Sequence, residues 1–432
     1  MATIAQLRKD LTSGLYAGML KYLYCTDEAG ARKQAQRYLA ALDRYCEIFG
    51  DPGEREVCLF STPGRTEVGG NHTDHQHGRV LAAGVNLDVI AVVTKNDTGV
   101  ITVKSEGFAP DTVRADELDA VPAEKNTSAA LIRGTCAGFE RRGFQKGGFD
   151  AYTTSNVLKG SGLSSSAAFE VLLGNILNHL YNGGRIDPVT LAKNAQFAEN
   201  AYFGKPCGLM DQTACAVGGF VSIDFADPEK PLVSKVDFDF SHCGHSLVIV
   251  DTKGDHADLT GDYASIGEEM RGVAAYFGKT VLREVDEEEF FSSLGRLRGK
   301  LSDRAILRAI HFFSDNRIAL EEADALRRKD FDTFKKLIIQ SGQSSFMYLQ
   351  NAYSLKKPSS QGIPLGIAAS ERLLKGKGAW RVHGGGFAGT MQAFVPNEMV
   401  EEYKGMVESL FGEGSCYVLS IRPVGTIRLE RD

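Results

Sequence analysis

Three absences narrow what this chain can be. Cationic excess is missing: 49 Lys and Arg stand against 55 Asp and Glu, a net charge of −6, with no long basic run. The electrostatic footprint of a nucleic-acid or anionic-membrane binder is therefore lacking. No apolar run reaches the roughly 20 residues that a membrane span needs. The most apolar stretch, Val80 to Val93, is interrupted by Asn86 and Asp88 and reads as buried strand. Paired cysteines are missing too, since the eight thiols show no CxxC spacing, and MATIAQLRKDLTSGLY at the N-terminus has no apolar core or cleavage site. Reduced thiols in the cytoplasm are the expectation. No internal repeat or low-complexity segment is visible.

What remains is an ordinary globular composition, 43% apolar and 24% charged over 432 residues, long enough for about two or three domains. Glycine is the one excess, 47 residues where an average chain has ~7%. Helical spacing of Met19, Leu20 and Leu23, then of Tyr38, Leu39 and Leu42, predicts two helices before the first strand. β-branched runs predict strands at Val57 to Phe60, Val89 to Val93 and Ile101 to Val103, so an α+β fold is expected. A Gly/Ser loop, Lys159 to Ser166, opens an apolar helix, and strands Phe220 to Asp224 and Ser246 to Asp251 follow. Asp286 to Gln350 turns helical and charged, and a second glycine-rich loop, Lys375 to Gly389, leads into a strand at Met391 to Val395. A soft boundary near residue 235 gives two α+β domains, 1–235 and 236–432.

Four motifs carry chemistry. GSGLSSSAA (Gly160 to Ala168) sets glycines and three hydroxyls at a helix N-terminus, where free N–H groups and the helix dipole attract phosphate. The P-loop pattern G-x-x-x-x-G-K-[ST] does not occur. HGGGFAG (His383 to Gly389) contains GxGxxG but runs into a strand, so it is not a dinucleotide fingerprint. PGRTEVGGNHTDHQHG crowds Arg65, Glu67, Asn71, His72, Asp74, His75 and His77 into what reads as one short loop. This density suits recognition of a hydroxyl-rich ligand, a metal site made by His72, Asp74, His75 and His77, or a solvated loop. In ENAYFGKPCGLMDQ, Asp211 is a helix cap or a base for a substrate hydroxyl, and Glu199 a candidate magnesium ligand.

Taken in this order, PGRTEVGGNHTD, GLSSSAA, GKPCGLMDQ and HGGGFAG resemble the galactokinases of the GHMP family of small-molecule kinases, over most of the chain from about residue 47 onward. The resemblance implies ATP-dependent, Mg²⁺-assisted phosphorylation of a sugar's anomeric hydroxyl, in a cleft between the two domains of a GHMP kinase fold. The partners it implies are the small-molecule sugar and ATP, without nucleic acid or membrane. It also implies roles: Asp211 as catalytic base and Arg65 beside it stabilising charge; Gly160, Ser161, Gly162, Leu163, Ser164, Ser165 and Ser166 as the ATP phosphate cradle; Ser166 and Glu199 on the metal; and Asn71, His72, Asp74 and Tyr263 around the sugar. The family's Glu-His-Thr-Asp-Tyr is here Asn71-His-Thr-Asp-His75, its Arg three positions after the tyrosine is Ile266, and Ala388 replaces a glycine. Galactose is the expected substrate. N-acetylgalactosamine, arabinose or galacturonate, or a non-catalytic sugar sensor on the same fold, are the alternatives.

Overall fold

A computed structural model describes residues 2–157, 162–254, 259–387 and 389–431. It opens on three helices where two were expected: α1 (Ile4–Ser13), α2 (Ala17–Tyr24) and α3 (Glu28–Phe49). Left-handed Gly14 and Cys25 end the first two, which is the break that apolar spacing does not register. Then come β1 (Val57–Gly69), β2 (Arg79–Lys95), β3 (Val100–Ser105), β4 (Asp111–Arg114), α4 (Ser128–Arg141), β5 (Phe149–Ser155), α5 (Ser165–Asn182), α6 (Pro188–Ala198), α7 (Met210–Val217), β6 (Phe220–Asp224) and β7 (Leu232–Val236). The rest is β8 (His245–Asp251), α8 (Thr260–Tyr276), α9 (Glu287–Ser292), α10 (Leu294–Arg298), α11 (Asp303–Arg327), α12 (Phe331–Ser344), α13 (Gly362–Leu374), β9 (Ala379–His383), β10 (Thr390–Pro396), α14 (Val400–Phe411), β11 (Cys416–Leu419) and β12 (Ile427–Arg428).

The first sheet has eight strands in the order β12-β1-β2-β5-β3-β4, with β6 continuing beside β2 and β7 beside β6. Both faces of its centre are covered. Phe60, Ala91 and Val93 face a core shared with the buried side of α5 (Val171, Leu172, Ile176). Alternate residues Leu59, Ile90 and Val92 face Leu20, Leu23, Tyr38 and Leu42 of α2 and α3. Burial on both sides is why this segment reads as a continuous apolar run. Asp88 anchors the helical layer: fully buried, it accepts from Tyr24 Oη at 2.6 Å, from Arg37 Nη1 at 2.5 Å, from Arg422 Nη1 at 3.3 Å and from the Ser61 hydroxyl.

The second sheet, β11-β8-β10-β9, is antiparallel throughout. One face packs on α13 and α14 through Leu374, Tyr403 and Val407, while Leu247, Ile249 and Phe394 join the core of the first sheet. The chain then returns, pairing β12 with β1 through Phe60 and Arg428. Two sequence expectations need correction. The polar segment from Pro63 is strand as far as Gly69, its register with β2 shifting at Pro63/Arg65 and Glu67/Gly69. Bulges there accommodate the Pro and Gly that read as loop. The second glycine loop is likewise shorter than expected, because Ala379–His383 is a buried strand.

Candidate active site

Gly64 sits at the first bulge of β1, where a Cβ would lie 2.8 Å from the Leu163 carbonyl. Glycine lets the strand run against the first Gly/Ser loop, and Arg65 N–H donates to that carbonyl at 3.0 Å. Arg65 then reaches across to Asp211 on the first turn of α7, with Nε to Oδ1 at 2.8 Å and Nη2 to Oδ2 at 2.6 Å. Its third nitrogen donates to the Gly162 carbonyl, and the Ser164 hydroxyl donates to Asp211 Oδ2. A bidentate fork fixes both orientation and charge. The Arg65 side chain is 10% exposed and that of Asp211 32%, so the carboxylate still faces open space. Burial pushes the Asp211 pKa up, but the Arg65 guanidinium and the Ser164 hydroxyl outweigh it and hold the carboxyl below its ordinary value. Asp211 is therefore ionised, with the α7 N-terminus adding to its stabilisation.

Ser164, in left-handed conformation at φ 53°, makes no side-chain cap to α5. Its hydroxyl is engaged with Asp211, leaving the helix N–H groups open to an anion. Beside that terminus lies a cavity of about 520 Å³, walled by Phe108, Ser128, Asn156, Ser165, Ser166 and Phe169. Phe108 and Phe169 give it apolar walls and the hydroxyls give it polar ones, a lining suited to a nucleotide base and its phosphates. Gly160 and Ser161 of the expected cradle, and Ala388, lie outside the described residues.

Ser166 and Glu170 stand four residues apart on α5, on one face of the helix. Glu170 shares the Gln212 amide (3.2 Å) with Glu199 (2.8 Å), which lies on a π turn, Glu199–Phe203, and faces Lys205 Nζ at 3.5 Å. Glu170 Oε1 has no partner. Burial, then the Glu199 charge, push the Glu170 carboxyl up to about 8. Hard oxygen donors from Ser166 and Glu199, with an orphan carboxyl oxygen alongside, fit a magnesium ion that takes one or two protein ligands and completes its shell with phosphate and water.

The four residues expected around the sugar divide. His72, at φ 59°, points its Nε2 at the Gly385 carbonyl (3.2 Å), and Tyr263 donates to the Gly386 carbonyl (3.2 Å) while its ring packs edge-on to Phe387 (5.1 Å). Burial and the neighbouring His75 hold the His72 pKa down, so its imidazole is neutral. Asp74 lies against Gly208, in the loop that leads to Asp211. Asn71 is placed differently from its expected role: with 0% exposure, it faces the protein and not the cleft. Its amide donates to Glu67 Oε1 and the Gly384 carbonyl, both at 2.7 Å, and accepts from Asn351 (2.8 Å) and Ser345 (3.3 Å). Among the described residues, no group of three or more His, Cys, Asp or Glu, His72, Asp74, His75 and His77 included, is arranged to hold a metal.

Sequence reasoning did not single out Thr66, His383 and Gln392. His383 bridges Thr390 (2.8 Å) and Thr66 (3.0 Å), and Gln392 also donates to Thr66 (2.7 Å), tying the second sheet to β1 beside Arg65. Arg381, which donates to Glu67 Oε1 at 3.3 Å, and Asn351, which donates to Asn71 Oδ1 at 2.8 Å, are likewise far in sequence from the groups they meet, and no local pattern marks them.

Known proteins match both halves of this site. Residues 130–219 match the GHMP kinases N terminal domain, and residues 43–95 the galactokinase galactose-binding signature. A galactokinase of Streptomyces coelicolor is 29% identical over 372 residues, 85% of this chain and 92% of that protein. Among solved structures, Lactococcus lactis galactokinase complexed with galactose superposes with a TM-score of 0.75 at 23% identity, covering 91% of this chain and all of that one. The Methanococcus jannaschii mevalonate kinase superposes at 0.58 with 14% identity, over 86% and 99%. The chain has the GHMP kinase fold. No helix among the described residues is long and apolar enough to cross a membrane.

Proposed function

We propose that this chain, a sugar kinase of the GHMP family with the galactokinase galactose-binding signature, transfers the γ-phosphate of ATP to the anomeric hydroxyl of galactose. The observation that carries this is the Arg65–Asp211 fork, open on one side and set against the loop that precedes α5. In this reading the division near residue 235 separates the two walls of the cleft. The α5 N-terminus and Ser165 receive the phosphates, and the 520 Å³ cavity beside them takes the base. Ser166 and Glu199 would hold magnesium, which when bound neutralises charge on the phosphates.

His72 and Asp74 orient the sugar, with Tyr263 shaping the pocket from the second glycine loop. Asp211 receives a hydrogen bond from the attacking hydroxyl and takes its proton as the bond to the γ-phosphorus forms and the bond from that phosphorus to the bridging oxygen breaks, releasing ADP. A carboxylate this well stabilised is a weak base, which suits a loose phosphoryl transfer in which the proton moves late. Arg65 both orients that carboxylate and adds positive charge where negative charge gathers. The Asn71 amide, turned away from the cleft, is no reason to prefer a sugar acid. A coupled assay with Mg-ATP across galactose, N-acetylgalactosamine, arabinose, glucose and galacturonate, with the product's phosphate position read by NMR, tests the proposal. Galactose should rank first with a 1-phosphate product; another sugar in first place would reassign the substrate. Sugar binding with no turnover would point to a sensor instead.

A further inference from the structure

On the outer side of the segment that leads to Asp211, α4 and α6 enclose a second cavity of about 380 Å³. Three cations line it. Arg141 and Arg142 both stack on Phe197, their guanidinium carbons 5.5 and 5.9 Å from the ring centre, and Lys193 also lines the cavity. Arg142 is held in place by the Gly138 carbonyl (3.0 Å), Asn194 Oδ1 (3.2 Å) and the Lys193 carbonyl (3.4 Å), all neutral groups. Lys193 Nζ donates to the backbone carbonyl of Glu229 at 3.1 Å, and Glu229 is the one acid on the wall. Burial and the neighbouring Arg141 charge hold the Arg142 pKa down. Arg142, anchored by neutral acceptors, and the exposed Arg141 beside it offer guanidinium groups of the kind that match phosphate oxygens.

The floor of this cavity is the back of the active site. Gln196 Nε2 and Asn200 Nδ2, both lining it, donate to the Cys207 carbonyl at 3.2 and 3.4 Å, and Asn200 Oδ1 accepts from Cys207 N–H at 2.7 Å. Those bonds fix the turn four residues ahead of Asp211. We propose that the cavity binds a small phosphate-bearing anion, and that its occupancy lowers turnover by drawing the Gln196 and Asn200 amides away from Cys207. The second half rests on the kinase reading; the first does not.

The test uses the full chain. Inorganic pyrophosphate is titrated calorimetrically in magnesium-free, nucleotide-free buffer, and a binding site that depends on Arg141 and Lys193 is expected. Arg141→Gln with Lys193→Gln should weaken it at least tenfold, and Arg141→Glu, at an exposed position, should do so alone. No heat of binding, or unchanged affinity in both variants, overturns the site. In the kinase assay, inorganic phosphate should lower kcat at unchanged KM for sugar in the wild type and not in the double variant. Binding without that change in kcat overturns the coupling. A chain with no sugar turnover would sink the kinase reading while leaving the titration readable.

Discussion

Asn71→Glu installs the carboxylate that a surface view of the polar segment invites, and the structure predicts that it destabilises the protein without retuning its specificity. The native amide donates two buried hydrogen bonds, to Glu67 and to the Gly384 carbonyl, and a carboxylate donates neither. Leaving the Gly384 carbonyl without this donor costs about 1–3 kcal/mol, while Glu67 Oε1 keeps Arg381 at 3.3 Å, and the extra methylene in a fully buried site adds about 1–3 kcal/mol. Repulsion between the new carboxylate and Glu67 is bounded, because one of the two takes up a proton instead. The loss comes to about 2–6 kcal/mol, a large share of the ~5–15 kcal/mol that holds a domain together. Such a proton is bound more tightly in the folded state, so the raised pKa makes the penalty grow as pH rises above the ordinary carboxyl range. The exchange Glu67→Asn with Asn71→Glu returns one donor facing one acceptor, and a double-mutant cycle should give a coupling of about 2 kcal/mol between the positions. The assay is urea unfolding of the four proteins at pH 5 and pH 7.5, alongside the ratio of kcat/KM for galactose over N-acetylgalactosamine. A single variant of wild-type stability with an altered sugar ratio would refute the reasoning, since it would mean that the side chain faces the cleft.

Asp211→Asn keeps the shape of the fork's partner and removes the base; kcat should fall about 10²–10⁴-fold with ATP and galactose affinities, read by calorimetry, within a few-fold of wild type. Arg65→Lys loses the bidentate geometry, so kcat should drop at least tenfold. Because Arg65 holds the Asp211 pKa down, the acid limb of the pH–rate profile should also move to higher pH. Glu170, with its carboxyl pushed up to about 8, keeps its proton in the folded chain where the unfolded chain has lost it. Wild-type stability should thus decline between about pH 4.5 and pH 8. Glu170→Gln should flatten that decline in urea unfolding measured across pH, and an equally steep slope in the variant would assign it to other groups.

What the sequence discloses depends on how local each cause is. The apolar run around Val89 to Val93 was legible because two buried faces leave no polar position in the strand. The length of β1 was not, because Pro63 and Gly64 signal a turn unless the bulge that absorbs them is known. Arg65 and Asp211 stood out by residue type and by family resemblance, yet their fork closes across 146 positions, which no spacing rule reaches. The triple serine pointed to phosphate, but the left-handed turn at Ser164 sends that hydroxyl to Asp211 instead. Asn71 shows the limit most clearly. A dense polar segment needs either solvent, a ligand or partners, and its partners Ser345 and Asn351 come from 274 and 280 residues away.

The glycine excess then has a physical reason that composition alone leaves open. Each loop offers backbone carbonyls to residues of the site: Gly162 to the Arg65 side chain and Leu163 to its backbone N–H, and Gly384, Gly385 and Gly386 to the side chains of Asn71, His72 and Tyr263. The loops also meet each other, since a Cβ on Gly162, at φ 74°, would lie 3.1 Å from His383 Cε1. That imidazole is kept neutral by burial and by the cations Arg65 and Arg381, its pKa held down to about 3, so it joins Thr66 and Thr390 as a neutral bridge. The seam between the sheets is polar where it nears the site: Arg381 donates to Glu67 at 3.3 Å and to the Val68 carbonyl. Apolar contacts would hold the two sheets together equally well, but they tolerate sliding, whereas a directional network fixes one register. In this fold, that register sets the distance between the second glycine loop, with His72 and Tyr263 bonded to it, and the Arg65–Asp211 fork.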